Sequence, residues 1–157
     1  MNRRRTLAFL AAAIPLLTWP ATAQPTTPTG AKLVTFTRDP QEVLGLLEGN
    51  VDLIGDHFGP LEFQRGVLAL AQAQKIQVKV LTNASTAPNM KPLKAAGARV
   101  AVLPADFSRG AAGMVLVHGR AVIFPLKTGG YNVLRDQATV QGIANSMETY
   151  WRVASPY

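Results

Sequence analysis

The chain has 157 residues, of which 48% are apolar, 16% charged and 7% aromatic, and 16 Lys and Arg against 9 Asp and Glu give a formal charge of +7. That is the length of one domain, with enough apolar residues to build a core, which excludes a wholly disordered chain. The absence of cysteine excludes a disulfide scaffold, a thiolate zinc site, an iron–sulfur cluster, a cysteine nucleophile and a lipoprotein cysteine anchor. Two distant histidines leave little for a multi-histidine metal site, so neither metal nor cofactor is expected.

Residues 1–23 read as an export signal. Arg3, Arg4 and Arg5 form a basic start, Leu7 to Leu17 an apolar core, and Ala21-Thr22-Ala23 a small-x-small cleavage site after Pro20. The apolar run is shorter than the roughly 20 residues a spanning helix needs. The mature chain is therefore expected to be periplasmic or secreted, with no stable membrane anchor. Arg4-Arg5-Thr6-Leu7-Ala8 loosely fits a twin-arginine signal, so both export routes stay open. Without Arg3 to Arg5, 13 basic residues face the same 9 acidic ones, a formal +4. That favours polyanions without being a nucleic-acid signature. Residues 24–30 (QPTTPTG) lack apolar side chains and read as a disordered spacer before a domain over 31–157.

Within that domain Lys32–Thr37 is a β-rich run. Asp39-Pro40 then predicts a helix start, with Asp39 as N-cap and Val43, Leu44, Leu46 and Leu47 as its buried face, stopped by Gly49-Asn50. Val51–Gly55 is a second strand. Asp56 to Pro60 is a loop, and Leu61–Gln74 a helix by its apolar spacing. Gln77–Leu81 alternates as a strand, and Thr82–Pro88 is a loop. Met90–Ala96 is a short helix ended by Gly97, and Arg99–Leu103 another strand. After the small-residue loop Pro104–Gly113, Met114–Val117 and Ala121–Phe124 form a hairpin about His118-Gly119-Arg120. Tyr131–Leu134 is a short strand. Asp136–Ala154 closes the chain as a helix with an apolar stripe of Val140, Ile143, Ala144, Met147, Trp151 and Ala154. Gly142 within it predicts a close approach. Helices between strands argue for an α/β fold with a largely covered sheet.

Four strings carry a family resemblance. Leu68–Leu81 (LALAQAQKIQVKVL) and Met90–Leu103 (MKPLKAAGARVAVL) are similar to two successive helix–strand elements. Met114–Ile123 (MVLVHGRAVI) looks like a motif-bearing strand–turn–strand, and Asn145–Trp151 (NSMETYW) like a closing helix. In this order, from Lys32 to Tyr157, they resemble the phospholipase D superfamily and its small exported endonuclease branch with one catalytic motif per chain. The resemblance implies a sandwich whose mixed sheet is covered by helices on both faces.

It also implies a His-x-Lys-x4-Asp motif on the hairpin, in which the His attacks phosphorus and the Lys neutralises the growing charge. Aligned on the turn, the His position falls on Ala111, the Lys position on Gly113 and the Asp position on His118. The downstream Gly-Ser-x-Asn falls on Pro125, Leu126, Lys127 and Thr128. The motif is thus degenerate, and the expectation is a non-catalytic domain that binds a ligand or partner. One-motif relatives pair to build a shared site, so a homodimer is one expected partner and an anionic, phosphate-containing ligand the other.

The alternative is a phosphodiesterase or nuclease-type hydrolase with relocated groups around Asp56 and His57, which follow the second strand where α/β sheets place ligands. Asn83 and Ser85 after the next strand, and Ser108 and Arg109 in the loop before Gly113, are the remaining ligand-binding candidates. His118 reads as a turn residue with no acid within five positions. Lys75, Lys79, Lys91, Lys94 and Arg99 are basic without interleaved aromatics, so base stacking is not expected. Trp151 and Tyr150 read as helix-end packing.

Overall fold

Two aspartates set the helix starts that the sequence marks. Asp39 accepts the Gln41 amide at 2.8 Å and opens α1 (Pro40–Leu44) with proline in its first turn. Asp136 accepts the Thr139 amide at 2.9 Å, and the Thr139 hydroxyl as well, to open α4 (Gln137–Val153). These elements belong to a computed structural model that describes residues 34–104 and 113–157, all within one compact unit, Lys32–Tyr157. The signal and spacer readings over 1–23 and 24–30 lie outside the described residues.

Eight strands form one sheet: β1 (Val34–Thr37), β2 (Gly49–Ile54), β3 (Ile76–Thr82), β4 (Arg99–Val102), β5 (Met114–Val117), β6 (Ala121–Pro125), β7 (Tyr131–Leu134) and β8 (Ser155–Pro156). Their spatial order is β1-β7-β6-β5-β2-β3-β4-β8. β2, β3 and β4 run parallel, because each connection between them carries a helix, α2 (Leu61–Gln72) and then α3 (Lys91–Ala95). A short 3₁₀ turn (Ala87–Met90) leads into α3. All other neighbours are antiparallel.

The period-two alternation of the strands sorts side chains to two cores. Val51, Leu53, Val78 and Val80 pack with Val43, Phe63, Val67 and Leu93 of α1, α2 and α3 on one face. Ile54, Leu81, Leu116 and Val122 pack with Val140, Ile143 and Met147 of α4 on the other. The sheet is mixed and helices cover both faces, as the sequence implied. Among the described residues no helix is long and apolar enough to cross a membrane.

Three local expectations are corrected. α1 is stopped by Gly45, whose amide bonds the Gln41 carbonyl at 2.9 Å, and not by Gly49-Asn50. Gly49 and Asn50 instead begin β2, because Ile76 and Gln77 of β3 pair with them. Gly142 makes no close approach, since a Cβ there meets nothing within 4 Å. The last residues form β8, where Ser155 pairs with Val102 and Pro156 with Ala101, so the terminus covers the β4 edge.

The Asp136 cap carries a pH signature. Its hydrogen bonds from the Thr139 hydroxyl and amide hold the carboxyl below its ordinary value of 3.8. A lowered folded value adds stability that is complete above 3.8 and is lost as pH falls through the lower, folded value. Asp136→Ala is expected to lower the melting temperature at pH 7. It should also flatten this part of the acid-unfolding curve, as thermal melts between neutral and strongly acidic pH would read.

Candidate functional site

At the end of the sheet where β2 and β3 finish and β5 begins, the backbone closes on itself. The Gly55 amide bonds the Leu81 carbonyl at 2.9 Å. The chain then turns so that Phe58 is buried among Leu53, Phe63, Val67, Met90 and Leu93. This places the His57 carbonyl against Gly113, the residue before β5. A Cβ at Gly113 would stand 1.3 Å from the His57 oxygen, well inside any real contact. Position 113 therefore holds no side chain of any kind without moving the β2 loop.

The polar candidates at this end do not converge. Asp56 is exposed, and among the described residues no hydrogen bond or ion pair joins it to His57. His57 is half-buried, with its Nε2 sealed and unpartnered. The Asn83 side-chain oxygen accepts the Ser85 hydroxyl at 2.7 Å and the Thr86 amide at 2.8 Å, so the two residues complete a turn into the 3₁₀ segment. The Thr82 hydroxyl is fully buried without a partner. Tyr131, at the start of β7, packs its ring 5.4 Å from Phe63. Burial first, and the Glu62 charge second, push its phenol above the ordinary value, so it is a neutral donor at physiological pH. Ser108, Arg109 and Ala111 lie outside the described residues. Among those described, no group of three or more His, Asp or Glu side chains is placed to hold a metal ion.

The opposite end of the sheet holds a constellation that sequence reasoning missed. Asp52, in the middle of β2, is 2% exposed. Its Oδ2 accepts the Trp151 indole N–H at 3.2 Å and lies 3.2 Å from His118 Nε2. The acid partner of His118 is thus 66 positions away in the chain, outside the five-position span in which the sequence offers none, and His118 itself lies in the β5–β6 turn. The available signal was Asp52 itself, a charge inside the apolar run Val51-Asp52-Leu53-Ile54. A buried carboxylate requires donors, although the sequence does not say which.

The same row of the sheet continues through Lys79 and Arg99, in register on β3 and β4. The Lys79 ammonium lies 5.7 Å from the Trp151 ring centre and the Arg99 guanidinium 5.3 Å. Lys94 similarly stands 5.4 Å from the Tyr157 ring and bonds the Tyr157 carbonyl. Cations and aromatics are interleaved here after all, because α4 and the terminus bring the aromatics to the β3–β4 side.

The arrangement of parallel β2-β3-β4 beside an antiparallel hairpin recurs in solved structures. Nuc from Salmonella typhimurium, a phospholipase D family member, superposes with a TM-score of 0.61 at 11% identity, over 79% of this chain and 97% of its own. The chain has the phospholipase D fold. NucT from Helicobacter pylori matches similarly, at a TM-score of 0.57 and 12% identity over 79% of this chain and 97% of its own. TrmBL2, an archaeal chromatin protein solved in a novel mode of DNA binding, matches at 0.55 and 17%, over 86% of this chain and 57% of its own. No protein-family model matches the chain, and no curated protein does. On this fold β5–β6 is the strand–turn–strand the resemblance expects, and Gly113 immediately precedes it.

The Asp52 tie makes a measurable prediction. Trp151→Phe and His118→Ala each remove one donor and are expected to cost about 1–2 kcal/mol in urea unfolding. The double variant strands the carboxylate and should cost more than the sum. Strict additivity would show that the two donors do not share one acceptor.

Proposed function

We propose that this is an exported domain of phospholipase D fold that binds a ligand or partner and does not cleave phosphodiesters. The observation that carries the reading is Gly113. The family resemblance puts the catalytic lysine there, and the His57 carbonyl fills the space its Cβ would need. Ala111 and His118 at the nucleophile and acid positions support the same reading, since losing a nucleophile removes orders of magnitude of rate. Export rests on residues 1–23 and implies a periplasmic or secreted protein. Ser108 and Arg109, which precede Gly113 in the sequence, are residue types suited to an anion such as phosphate. Asn83 and Ser85 are spent on each other. The hydrolase reading gains little from Asp56 and His57, which are not joined to one another.

Phosphodiesterase assays on a chromogenic diester and on DNA, across pH and divalent metals, are expected to show no turnover above heat-killed protein. Turnover that disappears in His57→Ala would overturn the proposal. Gly113→Ala is expected to lower stability by roughly 3 kcal/mol or more through overpacking against backbone. Unchanged stability in that variant would remove the observation on which the reading stands.

The homodimer is proposed from the one-motif resemblance alone. Sedimentation is expected to show a dimer, and a monomer at high concentration would refute it.

A further inference from the structure

At the end of the sheet away from Gly113, where β2, β3 and β4 begin, lies a groove of about 480 Å³. That is within the range of small-molecule sites. Its lining includes Asn50, Gln74 and Gln77 and the cationic residues Lys79 and Arg99, beside small and apolar ones. Two features of these cations bear on what the groove takes.

First, they are like charges held side by side. Lys79 and Arg99 are register partners on adjacent strands, an arrangement that costs free energy unless an anion relieves it. Neither makes an ion pair among the described residues. The one acid in their row, Asp52, is the register partner of Lys79 and brings a single negative charge against two positive ones, so the row keeps a net positive charge.

Second, they are held in place. Both stand over the Trp151 ring, whose indole is itself anchored by its hydrogen bond to Asp52. Long cationic side chains usually lose rotamer freedom when they bind, and here the aromatic surface has already restricted them.

We infer that the groove binds a small phosphate monoester, with its dianionic phosphate between Lys79 and Arg99 and its organic part against Asn50, Gln74 and Gln77. A guanidinium fork beside a compact ammonium matches a tetrahedral group carrying close to two charges and three peripheral oxygens. The three carboxamides offer paired donors and acceptors for a hydroxylated or heterocyclic body. Nucleoside monophosphates and sugar phosphates share this chemistry. The site lies at the other end of the sheet from Gly113 and goes beyond the function proposed above, on which it does not depend.

Trp151 supplies the readout. The full chain has two tryptophans, so in Trp19→Phe the emission is that of Trp151 alone. Inorganic phosphate, a nucleoside monophosphate, a sugar phosphate and dimethyl phosphate would each be titrated into this chain at constant ionic strength.

The monoesters are expected to give a saturable change in emission, with at least one organic ester tighter than inorganic phosphate and the diester weaker than both. The tighter of the two esters identifies the source. Lys79→Gln and Arg99→Gln, each shown to be folded by circular dichroism, are expected to weaken binding by about tenfold or more. No saturable response to any monoester would overturn the inference. So would binding that both charge variants leave intact, or organic esters no tighter than inorganic phosphate. None of these outcomes alters the phosphodiesterase test.

Discussion

A single buried carboxylate holds together parts of the molecule that nothing local would join. Asp52 sits in the central strand, where an unpaired charge would cost several kcal/mol. Its Oδ2 accepts an indole N–H from the last turns of α4 and meets an imidazole from the β5–β6 turn, while its buried Oδ1 has no hydrogen-bond partner among the described residues. α4 has Val140 as its one fully buried residue, with Ile143, Ala144 and Met147 partly buried against the same core. The apolar stripe sets which face of α4 meets the sheet, and the Trp151 bond to Asp52 fixes where its far end lies along it. The terminus follows, since α4 delivers β8 to the β4 edge and Tyr157 to Lys94. Removing Asp52 would therefore loosen the closing helix, the tail and the placement of the two cations over Trp151 together.

The other end of the sheet is governed by a steric constraint. A residue without a side chain lets the β2 loop lie against the start of β5, and the loop in turn fills the room a side chain would take. Any side chain at 113 would therefore demand a different path for residues 55–59. A fold shared with Nuc and NucT at 11–12% identity fixes the scaffold and leaves its chemistry to such local choices.

Caps and periodicities were legible in the sequence because they are local. Asp39-Pro40 and the alternation of β3 state their structure within a few residues, and the structure bears them out. The end of α1 was less legible. Gly49-Asn50 looks like a stop, but strand pairing with Ile76 and Gln77 assigns it to β2, and Gly45 ends the helix. Asn83 and Ser85 were legible as polar loop residues, but whether they face a ligand or each other depends on a turn geometry that composition does not specify.

By itself the sequence determined the α/β class, a largely covered sheet and the want of a His-x-Lys pair, because period, capping and residue identity are properties of the linear chain. Only the tertiary structure decided that His118 meets an acid from another strand, that Lys79 and Arg99 share one aromatic ring, and that Gly113 is closed over by a carbonyl. Those contacts join positions far apart in the chain, Lys79 and Trp151 among them, and their partners are chosen by the packing of whole elements rather than by neighbouring residues.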